Sequence, residues 1–234
     1  MSDEGSLALG FRAAYHTLGI SLPTVTEALI GTLTHARSDA RLRGWAGRLI
    51  AMTRTALHVS GHEHIPEMPC VVMSNHQSYA DIPLIYGALP QHICLRMVAK
   101  QELFYVPLWG RAMRDSGFIP IVRSDRKRAI QSLAIAKEQL ARGTYIWIAP
   151  EGTRSRNGEL GPLKKGGFIL ARDTGVPILP VTISGADAVM PPNGWRLFTG
   201  KSVRIAFRPL IPTAGRPIED VMAEVRTRID PATL

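Results

Sequence analysis

The chain has 234 residues, enough to bury a full core as one domain, and an apolar fraction of 45% with a charged fraction of 20% excludes a disordered polymer. A formal net charge of +9, most of it arginine, favours an anionic partner: a phosphorylated substrate, an anionic membrane or nucleic acid. The two cysteines, Cys70 and Cys94, lie in apolar runs with no CxxC and no Cys/His cluster, so no zinc centre or disulfide framework is indicated, and both read as buried thiols in a reducing compartment.

Taken in chain order, the N-terminus lacks the basic, apolar, small-residue order of a secretion signal. Residues 13–36 come nearest to a long apolar stretch, with Glu27 as their only formal charge. Pro23, His16, His35 and several threonines dilute them below the roughly 18 apolar residues of a spanning segment. They read as helical and interfacial rather than spanning. Residues 41–57, "RLRGWAGRLIAMTRTAL", repeat Leu42, Trp45, Leu49, Met52 and Ala56 at spacings of three and four, which predicts one apolar helical face. Arg43 and Arg54 point away from it, and Arg41 and Arg48 flank it. Such a helix suits either a membrane surface or an ordinary seat on the domain; both bury the same face.

After Gly61 strands and helices alternate. "PCVVMSN", "HICLRMVA", "FIPIV", "TYIWIA", "GVPILPVTI" and "SVRIAFR" read as strands. "SYADIPLIYGAL", "SDRKRAIQSLAIAKEQLARG" and "IEDVMAEVRTRI" read as helices, the second stopped by Gly143. The alternation predicts an α/β fold with a mixed, mostly parallel sheet flanked by helices. The one sensible boundary lies near residue 57, between an N-terminal helical segment, 1–56, and the α/β part, 57–234.

Polar sites in such a domain gather where loops leave strand ends. Two of these loops carry chemistry. In "SNHQSYAD", His76 stands five residues before Asp81, about 140° away on a continuous helix, so the two meet only if His76 lies in the loop and Asp81 in the first helical turn. Ser78 supports that break as an N-cap three residues before Asp81. The stretch therefore reads as a capping box, as a catalytic pair, or as both at once. An acid in the first turn can hold one imidazole nitrogen and leave the other as a base. With no GxSxG elbow in the chain, that base has a substrate hydroxyl or water to act on. In "PEGTRSRNG", Arg154 and Arg156 follow Glu151 and Gly152, with Lys164 and Lys165 farther on, a set suited to a phosphate. "HEH" at 62–64 lacks a further ligand, and "GWRLFTGKS" has one residue too many for a P-loop.

Together the motifs resemble the glycerolipid acyltransferase family. "NHQSYAD" is similar to its first block, "GFIPIVR" to its second, "PEGTRS" to its third and "VPILPVTI" to its fourth, in the same order and over roughly residues 57–210. "AKQELFYVPLWG" and "LKKGGF" also look like the family, and the nearest likeness is to its bacterial 1-acyl-glycerol-3-phosphate acyltransferases. Ala149 departs from the phenylalanine often found before "PEG". The resemblance implies transfer without a covalent acyl-enzyme, from acyl carrier protein or coenzyme A, to the sn-2 hydroxyl of lysophosphatidic acid. It implies His76 as general base and Asp81 as its orienting partner. Arg123, Glu151, Gly152, Thr153 and Arg154 would bind substrate, Lys100 would contact phosphate or thioester, and "VPILPVTI" would shape the acyl tunnel or the core. No cofactor or metal is implied. The expected partners are a lyso-lipid, an acyl carrier and the membrane surface rather than nucleic acid, at the cytoplasmic face of the cell membrane as a peripheral protein. The alternatives are another lyso-lipid acceptor such as lyso-ornithine lipid, a hydrolase using the same base on water, or an anionic-lipid or nucleic-acid binding module without catalysis.

Overall fold

The computed structural model describes residues 5–122, 126–155, 158–192 and 194–234. Two helices, α1 (Leu7–Leu29) and α2 (His35–Met52), lead into β1 (Ala56–Ser60). There follow β2 (Val71–Ser74), α3 (Asp81–Ala88), β3 (Leu95–Lys100), α4 (Trp109–Asp115), β4 (Ile119–Ile121) and α5 (Arg126–Ala141). The chain closes with β5 (Tyr145–Ile148), α6 (Gly166–Thr174), β6 (Ile178–Ser184), α7 (Ala186–Val189), β7 (Ser202–Phe207) and α8 (Ile218–Arg228). The strands form one sheet in the order β1-β7-β6-β2-β5-β3-β4. All neighbours are parallel except β6 and β7, so the fold is α/β with a mixed, mostly parallel sheet.

Each face of the sheet has its own core. Alternate residues of a strand point to opposite faces. Val72, Tyr145 and Trp147 therefore pack with α2, α3 and α4, while Val71, Met73 and Ile146 pack with α5, α6 and α8. The connection from β2 runs through α3 to β3, and that from β5 runs through α6 to β6. The two crossovers leave in opposite directions and cover opposite faces. A crevice thus opens between the carboxyl ends of β2 and β5, the switch point where doubly wound sheets place their ligands.

The N-terminal helices differ from the sequence expectation in two respects. The helical stretch expected over 13–36 is broken: α1 ends at Leu29, Gly31 takes a left-handed φ of 72°, and Thr34 caps α2 by accepting from the Arg37 amide. The helix expected to reach residue 57 stops at Met52. Arg54 adopts a left-handed φ of 48°, and the next residues turn into β1, which pairs in register with β7. The boundary after residue 56 therefore falls at the first residue of this edge strand. The predicted apolar face of α2 is packed inward, with Leu42 and Ala46 buried and the Trp45 indole donating to the Thr17 hydroxyl on α1. Arg43, expected to face solvent, instead donates to the carbonyls of Tyr86, Leu89, Pro90 and Ile93 around the end of α3. Carbonyls at a helix end and in the turn after it are a natural seat for a guanidinium. Cys70 is buried, whereas Cys94 is half-buried. His62 and His64 bond the carbonyls of Ala88 and Phe207.

One buried ion pair joins α2 to the sheet. The Arg96 side chain on β3 is 1% exposed and pairs with Asp39 of α2, while also donating to the carbonyls of Ser116 and Leu95. Removing one member of such a pair strands a charge in the interior. Asp39→Ala is expected to destabilise the fold by about 3–5 kcal/mol, from the measured range for broken buried pairs, read by urea denaturation. An unchanged midpoint would show that α2 is held by its apolar face alone.

Candidate active site

The first loop of the crevice is shaped by a short tether. Asn75, the residue after β2, is buried, and its side-chain amide both donates to and accepts from the backbone of Ile183 on β6, each at 2.8 Å. In effect it extends the ladder by one side chain and fixes where His76 begins. His76 then leaves the sheet with its ring edge-on to Trp147, centroids 5.9 Å apart, and the Trp147 indole is itself held by the Ser74 hydroxyl.

Asp81 opens α3 and is fully buried. Its Oδ2 accepts from His76 Nδ1 at 2.6 Å, from the Gln77 amide at 2.8 Å and from the Ser78 amide at 3.0 Å. With two backbone amides on the same oxygen, that oxygen is an acceptor, so Nδ1 carries the proton and Nε2 keeps its lone pair. Ser78 has a different role from the one its spacing suggests. The N-cap position is Ala80, and the Ser78 hydroxyl accepts from the Ala80 amide and donates to the Met190 carbonyl at 2.6 Å. Half of the expected capping box is present, the acid reaching back to the Ser78 amide; the serine half has gone to bind a distant segment.

The second loop is clamped onto the first. The Ser155 amide donates to the His76 carbonyl at 2.8 Å. Glu151 is buried and turned inward, with Oε1 on the His76 amide at 3.1 Å and Oε2 on the Gly161 amide at 2.8 Å. Burial raises its carboxyl above the ordinary value, against the opposing pull of those two amides. Gly152 follows with a φ of 75°, a conformation that a Cβ would strain, and it lets the chain reverse toward Arg154. The Arg154 guanidinium stacks on the ring of Tyr79, 3.8 Å from its centroid, and Nη1 donates to the Pro192 carbonyl at 2.6 Å.

The chain that carries this histidine–acid pair, between two strand ends of a mostly parallel sheet, has counterparts among known proteins. The acyltransferase family model matches residues 56–184, just over half of the chain. The chain belongs to the acyltransferase family. It is 36% identical over 172 residues to the 1-acyl-sn-glycerol-3-phosphate acyltransferase of Pseudomonas aeruginosa, covering 73% of this chain and 64% of that one. It is 34% identical over 173 residues to a chloroplastic counterpart from Brassica napus, covering 73% of this chain and 49% of the relative. The chain thus spans about half of that plant relative and somewhat under two thirds of the bacterial one. The crystal structure of the 1-acyl-sn-glycerophosphate (LPA) acyltransferase PlsC from Thermotoga maritima superposes with a TM-score of 0.74 at 25% identity, over 96% of this chain and 95% of that one.

Within this acyltransferase, the residues expected from sequence do not form one cluster. His76, Asp81, Glu151, Gly152 and Arg154 meet between β2 and β5; Thr153 lies exposed beside them. Lys100 ends β3, two strands from β2, hence about 10 Å to the side by strand spacing, and its side chain is exposed. Arg123 and Arg156 lie outside the described residues. Lys165 is paired with Glu219 on α8 at 2.7 Å. The strand "VPILPVTI" is core: no residue of β6 borders the large cavity of the molecule. That cavity, about 590 Å³, lies instead beneath α1, walled by apolar side chains of α1, α2, α3 and α4 such as Leu18, Leu42, Trp45, Pro83 and Trp109. It reaches Tyr79 and Ala80 in the catalytic loop.

Sequence reasoning missed three contributors: Asn75, Tyr79 and the segment Met190–Pro192. The signal for the last was the "PPNGW" turn, whose role depends on carbonyls that no side-chain pattern reveals. Glu151, expected at the substrate, is consumed by the scaffold. Glu151→Gln would turn an NH₂ toward one of the two amides that the carboxyl now satisfies. We expect a loss of about 1–3 kcal/mol, the cost of an orphaned buried donor, measured by urea denaturation. Because the native carboxyl lies above its ordinary value of 4.5, the folded state holds more protons than the unfolded one in that window, and the wild type loses stability as pH rises through it. The gap between wild type and the non-titrating Gln variant should therefore narrow over the same pH range. A gap that widened would contradict the burial argument.

Proposed function

We propose that this acyltransferase moves a fatty acyl chain from an acyl thioester, carried by acyl carrier protein or coenzyme A, to the sn-2 hydroxyl of 1-acyl-glycerol-3-phosphate, giving phosphatidic acid. The observation that carries this reading is the 2.6 Å bond from His76 Nδ1 to Asp81, which leaves Nε2 as a free base beside a loop bearing an arginine. The names of the relatives point to the same acceptor.

In this mechanism Nε2 of His76 takes the proton of the acceptor hydroxyl as its oxygen attacks the thioester carbonyl. Asp81 steadies the imidazolium that results, without itself being protonated. The tetrahedral intermediate collapses, the C–S bond breaks, and the imidazolium returns its proton to the leaving thiolate. Arg154 binds the acceptor phosphate, since a guanidinium fork matches phosphate oxygens. The cavity beneath α1 takes an acyl chain; its walls offer the largely apolar lining such a ligand needs.

The membrane enters through α1. Leu7, Phe11, Tyr15, Leu18 and Leu22 recur at spacings of three and four and are exposed, Phe11 at 76% and Leu22 at 60%, with Leu29 and Ile30 continuing the stripe. Among the described residues no helix is long and apolar enough to cross a membrane. We place this stripe in the interfacial layer of the cytoplasmic leaflet, with α1 rather than α2 as the docking helix. The segment 1–56 in this reading docks the catalytic domain 57–234 onto its lipid substrate.

A panel of lyso-lipid acceptors with labelled acyl donors, read by product mass, tests the reaction. His76→Ala should lower kcat by about 10²–10⁴, the usual share of a general base, with the fold intact by circular dichroism; full activity would sink the mechanism. Arg154→Ala should raise the KM for the phosphorylated acceptor about ten- to a hundredfold, for one lost charged hydrogen-bonding group. Phe11→Ser combined with Leu22→Ser should release the protein from sedimenting phosphatidylglycerol vesicles; undiminished binding would place the docking surface elsewhere.

A further inference from the structure

We infer that Tyr79 is a positioning residue that holds the Arg154 guanidinium, ready for the acceptor's phosphate, at the point where the catalytic loop meets the apolar cavity. This deepens the proposed transfer to a phosphorylated lyso-lipid and rests on it.

Four observations converge on this ring. Tyr79 lies between His76 and α3 and remains 42% exposed, although it is an aromatic side chain in an otherwise buried loop. The Arg154 guanidinium carbon lies 3.8 Å from its ring centroid, so the cation rests on the ring face. Arg154 Nη1 donates to Pro192, two residues beyond the Met190 carbonyl that holds Ser78. The same tyrosine borders the cavity beneath α1.

A guanidinium on a flexible stem loses rotamer freedom when it binds a phosphate. Here the stack fixes the plane of the group and the single carbonyl fixes its rotation within that plane. Among the described residues, Nη1 alone of the guanidinium nitrogens has a protein partner, so the remaining N–H edges are left for an anion, already oriented. Stacking does not consume those edges, because the ring attracts the cation through its face. An acceptor with an anionic head and an acyl tail must pass from arginine to cavity at one place, and Tyr79 touches both. The loop around it is rigid for independent reasons: the Ser78 hydroxyl bonds Met190 and the Ala80 amide, and the neighbouring Asp81 is held by three donors.

A double-mutant cycle tests this. Tyr79→Leu, which keeps apolar bulk at the cavity, should raise the KM for 1-acyl-glycerol-3-phosphate about three- to thirtyfold, the span of cation–π strengths, with kcat and the donor KM within about twofold. Tyr79→Phe, which keeps the ring face, should restore the acceptor KM to within about twofold of wild type. In an Arg154→Ala background, Tyr79→Leu should add less than about twofold, because the group it positions is gone. An unchanged acceptor KM, a fall confined to kcat, or the same fold-change in both backgrounds would overturn the inference while leaving the proposed reaction in place. If the wild type transfers no chain to this acceptor, the proposed reaction fails. The cycle is then read from equilibrium binding of a fluorescent 1-acyl-glycerol-3-phosphate to the four proteins, where coupling between the two positions upholds the role of Tyr79 and additivity ends it.

Discussion

One carboxylate oxygen, Oδ2 of Asp81, organises the loop between β2 and α3. It accepts from the His76 ring and from the amides of Gln77 and Ser78, all within five residues of it in sequence and all buried or half-buried. Removing such an acceptor would orphan three donors at once. The same bonds curl the chain back on itself, which brings His76 to the acid across a distance that a continuous helix forbids. Loop shape, histidine tautomer and the start of α3 are therefore one event. The helix start and the base are not competing explanations of the motif, because the acid that opens the helix is the acid that orients the ring.

Topology supplies what the loop cannot. The carboxyl ends of β2 and β5 are adjacent because the two strands pair in parallel, and a crevice opens there because their crossovers leave in opposite directions over opposite faces. A residue 75 positions away in sequence, Glu151, thereby comes to bond the His76 amide. The two loops share backbone bonds as well as side chains, so neither can shift alone. This arrangement suits a base that must be placed to within fractions of an ångström of a hydroxyl.

Much of this was legible in the sequence, for physical reasons. Strands buried on both faces are continuous apolar runs, and "PCVVMSN", "TYIWIA" and "GVPILPVTI" announce β2, β5 and β6 within three residues at each end. Edge strand β1 was not visible. Its side chains alternate exposed and half-buried, and the apolar residues before it run on at helical spacing into "TAL", so periodicity carried the helix five residues too far. Arg43 shows a second limit. Helical geometry gives the direction in which a side chain leaves, but the four carbonyls that receive it belong to a helix end and the turn after it, more than forty residues on. Glu151 shows a third. The resemblance implied a substrate role for it, while its partners here are two backbone amides, groups that no sequence pattern marks.

The asymmetry of α1 binds these levels together. The side of α1 over the cavity carries small residues, Gly10, Ala13, Ala14, Thr17 and Ser21, together with Ile20 and, at its edge, Leu18; its outer face is the exposed apolar stripe of Leu7, Phe11, Tyr15 and Leu22. The helix is fastened at both ends. Ser6 pairs with the backbone of Leu197 and Gly5 receives Arg196, while Glu27 pairs with Arg41. Close approach is required at Gly10, where a Cβ would lie 2.2 Å from the Trp195 carbonyl. A helix that needed only to pack on the domain would bury its large apolar residues, whereas α1 leaves Phe11, Tyr15 and Leu22 exposed. Small residues inward leave room beneath the helix for a hydrocarbon chain, and large ones outward offer it to lipid. On this account the same 23-residue helix is wall to the acyl cavity and contact to the bilayer, and the carbonyls of Met190 and Pro192, just before Trp195, are those that hold Ser78 and Arg154. In the proposed reading, the exposed stripe and the His76 loop are thus anchored to one segment, as an enzyme working on a lipid hydroxyl would need if its substrate is to arrive in register with the base.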